Sequence, residues 1–446
     1  MHSPQYAVAV IGAGPAGLYA AQKLASAGAQ VVIFNRDIKP GGLAEYGIYY
    51  NKYRMKRGLR KQFASILKDE QISYFGNIRV GEDGDLSLDD LRALGFQAIL
   101  VTVGAQGTKW LGLPGEDLQG VYHAKDLVYH YNKLPPYSMQ KFKIGKRVAL
   151  IGVGNVMMDI AHWTVRDKQV DEVIAVARRG PAEVKFTKKE MQNIGHNLDL
   201  AALDDELARV NERTLAVGQN PAESKAFILS GLEKALEPVS ETRFRFEFLS
   251  SPAQIIGDEY GQVTGLEIDD TALALRDGKT KAQIVGTCRV LDVDTVVFCI
   301  GDKVDESFGL PIQWNSFVKN NQPRFPVDEL SFEVYDPENE QPIEGVFVAG
   351  WSREASSGLV GYARKDGEMG AEAVWQYLQT LEPGGDVLGS VEQKLAMLPH
   401  AVVNKAQVEQ LAAIEQARSE TENLEDFKFD NNAEMLAILA AEAIAA

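Results

Sequence analysis

Residues 6–37 read YAVAVIGAGPAGLYAAQKLASAGAQVVIFNRD. An apolar run through Val8–Ile11 enters a turn with glycines at 12, 14 and 17. An alanine-rich stretch follows to about Ala27, Gly28 stops it, and Val31–Phe34 is a second apolar run. The periodicities spell strand, turn, helix, strand. The first glycine makes the tight turn, the second lets a ligand approach the backbone, and the third lets the helix lie close on the strand. As a bare pattern G-x-G-x-x-G is weak evidence. After a strand and opening a helix, it is the context in which a dinucleotide pyrophosphate meets a helix N-terminus.

The same plan returns. RVALIGVGNVMMDIAHWTV (147–165) enters a turn at Gly152 and Gly154, and EVIAVARRG (172–180) is its second strand. Met157 stands where the third glycine would be, which predicts a slightly wider spacing of helix and strand. AILVTVGA (98–105), TVVFCIGD (295–302) and GVFVAGW (345–351) are further short strands running into glycine. The fold class is therefore α/β, with two Rossmann-like, parallel-sheet dinucleotide-binding domains. The expected division is 1–105 with 300–380 as one domain and 106–299 as the other. Residues 381–446 read as an acidic helical C-terminal extension of one or two amphipathic helices around an acidic spacer.

The residues that end the two second strands differ. An acid that holds ribose hydroxyls is expected there in an NAD- or FAD-binding unit. The first unit has Asn35, with Asp37 two residues on. The second has Arg178 and Arg179, with Lys185, Lys188 and Lys189 following. A guanidinium binds phosphate bidentately, and two suit a dianion. The second unit is therefore expected to select NADP(H) by its 2′-phosphate.

Bulk composition narrows the function. A chain of 446 residues is too long for one core. The net charge of −16 argues against nucleic acid as a partner. No run of about 18 apolar residues predicts a membrane span, and the N-terminus lacks a basic leader, so the expected location is cytoplasmic. Residues 382–446 hold 12 acids and 4 bases, half the net charge, whereas NKYRMKRGLRK (51–61) holds six bases and no acid. That stretch is either a solvated helix face or a surface that steers an acidic partner. Cys288 and Cys299 form no C-x-x-C, too few for a cluster and wrongly spaced for a local redox disulfide. The histidine spacing gives no metal site.

Together these residues resemble the adrenodoxin-reductase type of ferredoxin–NADP reductase, which is related to the small subunit of glutamate synthase. The resemblance spans roughly residues 6–380. Its most specific parts are IGAGPAG, FGN (75–77), GVGNVMMD, RRGPAEVKFTKKE and GWSREASSGLVG; the tail after 380 matches nothing in it. It implies FAD along Gly12, Gly14, Pro15, Ala16 and Gly17, with Asn35 at the family's acidic ribose contact. Leu43, Val80, Gly104 and Gly350 would line the cofactor further along. Trp351 and the backbone of Gly358, Leu359 and Val360 would sit by the isoalloxazine. NADP would lie on Gly154, Asn155, Val156, Arg178, Arg179 and Glu190. Asp159 matches an aspartate near the flavin–nicotinamide contact, and Lys52 stands where the family has a histidine; these two are the catalytic candidates. A helix that is basic in animal members is hardly so here (SKAFILSGLEKALEP).

The implied activity is hydride transfer from NADPH to FAD, then electron release to an external ferredoxin-like iron–sulfur protein or flavodoxin. The alternatives are a flavoprotein subunit of a larger glutamate-synthase-like complex, an oxidase reacting with oxygen, and a flavin-binding regulatory or assembly protein. The tail is a candidate dimer arm for a homo-oligomer, a site cover or a partner hook.

Overall fold

The computed structural model describes residues 6–356, 358 and 360–445, the side chains of 442–445 excepted. Two compact units emerge. The first takes the chain up to Thr108, Tyr129–Met139, and the chain from Asp302 onward. The second takes Lys109–Val128 and Gln140–Gly301.

The first unit is built on a seven-stranded sheet. Its order is Glu333–Asp336, Gln341–Val348, Ala98–Val101, Tyr6–Ile11, Ala29–Asn35, Ile72–Gly76 and Val403–Asn404. The five strands from Gln341–Val348 to Ile72–Gly76 run parallel, and the two outer ones are antiparallel to their neighbours. Parallel strands are covered on both faces, so they read as continuous apolar runs. Alternation then sends Val8, Val10, Val31 and Ile33 into one apolar cluster and Ala7, Ala9, Ile11, Val32 and Phe34 into another. Tyr6–Ile11 pairs with Ala29–Asn35 on one side and with Ala98–Val101 on the other. Open α/β sheets bind ligands at the carboxyl ends of the strands where strand order reverses in this way.

The second unit repeats the arrangement with five parallel strands, ordered Val121–His123, Thr295–Phe298, Arg147–Ile151, Glu172–Val176 and Arg243–Glu247. A three-stranded antiparallel sheet, Ser250–Gly257, Val263–Arg276 and Lys279–Leu291, belongs to the same unit. Met157 is fully buried at the position of the missing third glycine.

The units depart from the sequence expectation in two places. Residues 129–139 return to the first unit, where Tyr129 and Leu134 pack with Tyr46. The tail is not a separate helical extension. Its strand Val403–Asn404 pairs with Ile72–Gly76 and covers that sheet edge. Asn404 and Gln407 then form a capping box at the start of the helix Lys405–Thr421. Phe429, Met435 and Leu439 bury themselves with Ile38 and Leu411, so the tail's apolar face is spent inside its own chain. Among the described residues no helix is long and apolar enough to cross a membrane.

Two candidate nucleotide sites

In the first unit the glycine turn has the geometry its residues demand. Gly12 adopts φ +101°, and a Cβ there would lie 2.7 Å from the Thr102 carbonyl oxygen. A Cβ on Gly17 would lie 2.0 Å from the Gly12 oxygen, which is why the helix can approach the strand. At Gly14 the opposite holds: a Cβ would meet nothing within 4 Å. Gly14 caps the helix Pro15–Ser26 without any side-chain hydrogen bond. A helix start without a side-chain cap, at the positive end of the helix dipole, fits a pyrophosphate.

Asn35 is tied into the turn itself. Its Oδ1 accepts from the Ala13 N–H at 2.9 Å, and its Nδ2 donates to the carbonyls of Asp37 (2.8 Å) and Lys39 (3.1 Å). With both N–H groups committed and the residue buried, the amide braces the glycine turn from behind. A carboxylate could accept the Ala13 bond but could not donate to the two carbonyls.

The remaining candidates of this unit fall on different supports. Gly104 (φ +73°) donates its N–H to Ser352 Oγ at 2.9 Å. Gly350 (φ +67°) would clash with the Ala16 side chain if it carried a Cβ, and donates to Asp366 Oδ2 at 2.6 Å. Ala16, Gly104 and Gly350 are therefore tied together at the carboxyl ends of three adjacent strands. Trp351 follows, half-buried, and Val360 opens the helix Val360–Leu378. Gly358 is exposed with φ +72°, and Leu359 lies outside the described residues. Val80 is buried in an apolar cluster, so its side chain is committed to the core. Leu43 packs on Tyr46, Tyr129 and Leu134. Lys52 precedes the helix Tyr53–Leu67, its N–H donating to the Tyr49 carbonyl at 3.1 Å.

The basic stretch 51–61 is partly engaged within the chain, although Arg54, Arg57 and Lys61 stay exposed. Arg60 pairs with Glu45 (2.6 Å) and with Asp426 of the tail (2.7 Å), Arg57 pairs with Glu425 (3.5 Å), and Lys56 is buried against Asn132. The tail acids that pair with Arg57 and Arg60 lie some 370 residues away in sequence, beyond the reach of any local pattern.

The second unit builds its turn in the same way. Gly152 (φ +123°) would place a Cβ 2.5 Å from the Cys299 carbonyl oxygen, and Gly154 faces open space. Gly154 also caps its helix, Asn155–Trp163, without a side-chain bond. Asn155 Oδ1 accepts from the Thr187 N–H at 2.9 Å, and the Lys185 N–H donates to the Val153 carbonyl at 2.8 Å. The loop that follows Arg178 and Arg179 is thereby stitched onto the glycine turn. Val156 is exposed and Asp159 half-buried on the helix.

Arg178 is exposed, and among the described residues its guanidinium has no ion-pair partner. Its carbonyl is held by Thr271 Oγ1 at 2.7 Å. Arg179 pairs with Glu183 at 3.0 Å. Lys185 and Lys189 are exposed close by in sequence, whereas Lys188 pairs with Glu233. Glu190 accepts from Asn193 at 3.0 Å. A cationic edge beside an uncapped helix N-terminus fits a nucleotide with an extra phosphate.

Sequence reasoning missed two supports of the first site. One is Gly41–Gly42: Gly41 donates to the Ala13 carbonyl at 2.8 Å, and a Cβ on Gly42 would lie 3.0 Å from Gly14 Cα. The signal was the KPGG run just after the second strand. The other is the buried pair Arg353–Asp366, bound through Nη2 at 2.6 Å and Nε at 2.9 Å, which fixes Gly350.

Comparison with known proteins agrees with this geometry. The pyridine nucleotide-disulphide oxidoreductase family matches residues 6–197. A mitochondrial NADPH:adrenodoxin oxidoreductase of Arabidopsis thaliana is 28% identical over 79% of this chain and 78% of its own length. The NADPH-ferredoxin reductase FprA of Mycobacterium leprae is 25% identical over 97% of this chain and 98% of its own. The atomic-resolution structure of FprA, a Mycobacterium tuberculosis oxidoreductase, superposes with a TM-score of 0.80 at 25% identity, covering 97% of this chain and 99% of that one. Coverage this complete extends past residue 380, so the tail does have a counterpart. The chain is thus similar to the pyridine nucleotide-disulphide oxidoreductase family over residues 6–197, and to NADPH–ferredoxin and NADPH:adrenodoxin reductases over most of its length.

Proposed function

We propose that this protein is an FAD-dependent NADPH oxidoreductase that passes electrons to an external ferredoxin-type iron–sulfur protein, or to a flavodoxin in its place. The observation that carries the reading is the pair of uncapped glycine-turn helices, with two adjacent arginines after the second strand of the second unit, where the first unit has Asn35 and an Arg36 paired with Asp37. FAD, held at the first turn, would supply the hydride-accepting chemistry and release electrons singly. The chain's own residues do the rest. Gly14, Pro15, Ala16 and Gly17 present the amides of a helix start, and Asn35 braces that turn. Gly104, Gly350 and Trp351 stand at neighbouring strand ends. Gly154, Asn155 and Val156 present the second helix start, and Arg178 and Arg179 select the 2′-phosphate. Asp159 and Lys52 remain the candidates for orienting the reacting groups.

Electrons then leave the chain for that carrier. Cys288 is exposed and Cys299 buried, with no disulfide between them, and no cluster of metal ligands occurs among the described residues. Free cysteines also fit a reducing, cytoplasmic location.

The test is an anaerobic titration of the FAD-loaded protein with NADPH and with NADH, followed by addition of oxidised ferredoxin or flavodoxin. Bleaching of the flavin band by NADPH at far lower concentration than NADH, then stoichiometric carrier reduction, is the expected result. A flavin that NADPH does not reduce, or that reduces neither carrier, refutes the proposal.

A further inference from the structure

The tail reaches the first nucleotide site through buried charge. Lys39 and Glu45 flank the Gly41–Gly42 pair that leans on the glycine turn. Lys39 Nζ meets Glu415 of the tail helix at 2.5 Å, with only 9% and 12% of the two side chains exposed. Glu415 is fixed in turn by the Phe429 N–H at 2.8 Å. On the other flank Glu45 is paired with Lys428 of the tail, both 6% exposed, and with Arg60. Lys428 also donates to the carbonyls of Glu45 (3.3 Å) and Asn132 (3.2 Å). Burial alone would raise the Glu45 carboxyl, but Lys428 and Arg60 override it and hold the group well below the usual carboxylate range.

Two adjacent glycines are the least self-ordering residues a chain can place beside a ligand. Gly42 sits at φ +49° and would touch Gly14 with any larger side chain. Holding such a pair still before a ligand arrives removes an ordering cost from binding. Buried ion pairs do this well, because their attraction falls steeply when either partner moves into water.

We propose that Glu415 and Lys428 of the C-terminal tail are positioning residues for the first nucleotide site: by gripping Lys39 and Glu45, they hold Gly41 and Gly42 against the glycine turn and so set the affinity for FAD. The inference rests on the assignment of FAD to that turn. It gives the tail a role in cofactor retention.

The experiment is a double-mutant cycle on FAD affinity, measured by titrating apoprotein and following quenching of flavin fluorescence. Lys39→Met and Glu415→Gln are each expected to raise Kd for FAD about tenfold, and the double variant no further, since one interaction is lost in all three. Lys428→Met shifts Kd the same way. Lys39→Arg, which keeps the charge, recovers most of the affinity. The visible spectrum of the bound flavin stays as in the wild type, because the grip acts away from the ring. Glu434→Gln, which breaks only the exposed pair with Arg418, leaves Kd unchanged. Binding of 2′,5′-ADP reports the second unit and is expected to hold throughout. An unchanged Kd in the single variants, with only a lowered melting temperature, overturns the inference. So does loss of 2′,5′-ADP binding, which means general unfolding. Wild-type apoprotein that binds no FAD overturns the assignment of the cofactor instead.

Discussion

Arg178 offers the sharpest measurement of coenzyme choice. Its guanidinium is exposed and has no ion-pair partner among the described residues, so a 2′-phosphate need not compete for it. Its backbone is held independently by Thr271, so removing the side chain leaves the strand end in place. A hydrogen bond to a charged group contributes about 1.5–3 kcal/mol, which is roughly 10- to 150-fold in affinity. Arg178→Ala is therefore expected to raise KM for NADPH by a factor in that range and to leave kcat and the constants for NADH nearly unchanged, the signature of lost uniform binding. Arg179→Ala should cost less by the worth of the Glu183 pair that Arg179 gives up on binding, about 0.3–0.5 kcal/mol, or roughly twofold. The NADPH penalty should shrink as salt rises, because both groups are solvent-facing. Steady-state kinetics with both coenzymes at two ionic strengths decide the matter. Equal losses for NADPH and NADH, or none for either, would refute the assignment of the arginines to the 2′-phosphate.

Other expectations concern the scaffold. Gly17→Ala forces a Cβ to 2.0 Å from a backbone oxygen and should cost about 3 kcal/mol or more. Gly14→Ala, at φ −76° and facing open space, should leave the melting temperature alone and weaken FAD binding; thermal melts and flavin content separate the two. Asp366→Ala leaves the buried Arg353 only its longer 3.5 Å pair with Glu354, at a cost of about 3 kcal/mol, whereas Arg353→Met with Asp366→Leu should cost less in chemical denaturation. His400 is raised above its ordinary value by its hydrogen bond to Asp85. Its stabilisation is therefore full below the unfolded pKa of about 6.5 and fades as pH climbs through the folded value. Urea midpoints from pH 5.5 to 8.5 should fall more steeply in the wild type than in His400→Gln, and parallel curves would count against the pair.

Where local sequence carries the physics, the reading was direct. The two glycine turns, their helices and the buried parallel strands follow from short-range steric and hydrophobic rules, and Gly12, Gly17 and Gly152 occupy the backbone conformations and close approaches those rules ask for. Asn35 was legible as a departure from pattern but not in its role, because its partners are backbone groups that only the folded turn supplies. The basic helix and the acidic tail were each visible in composition. Their pairing was not, since Arg60 and Asp426 meet across 366 residues. Tyr129–Met139 gave no sign of returning to the first unit, as its anchoring is tertiary packing on Tyr46.

The route of the chain between its units also bears on how the protein is made. The second unit is complete once Gly301 has been synthesised, whereas the first still lacks three strands of its sheet, the last ending at Asn404. At ribosomal rates the 145 residues that follow Gly301 take roughly 7–30 s to appear. During that interval the nascent chain carries a finished second unit and an unfinished first one, so truncation after residue 401 takes an edge strand and the last two helices from the first unit and leaves every strand of the second in place.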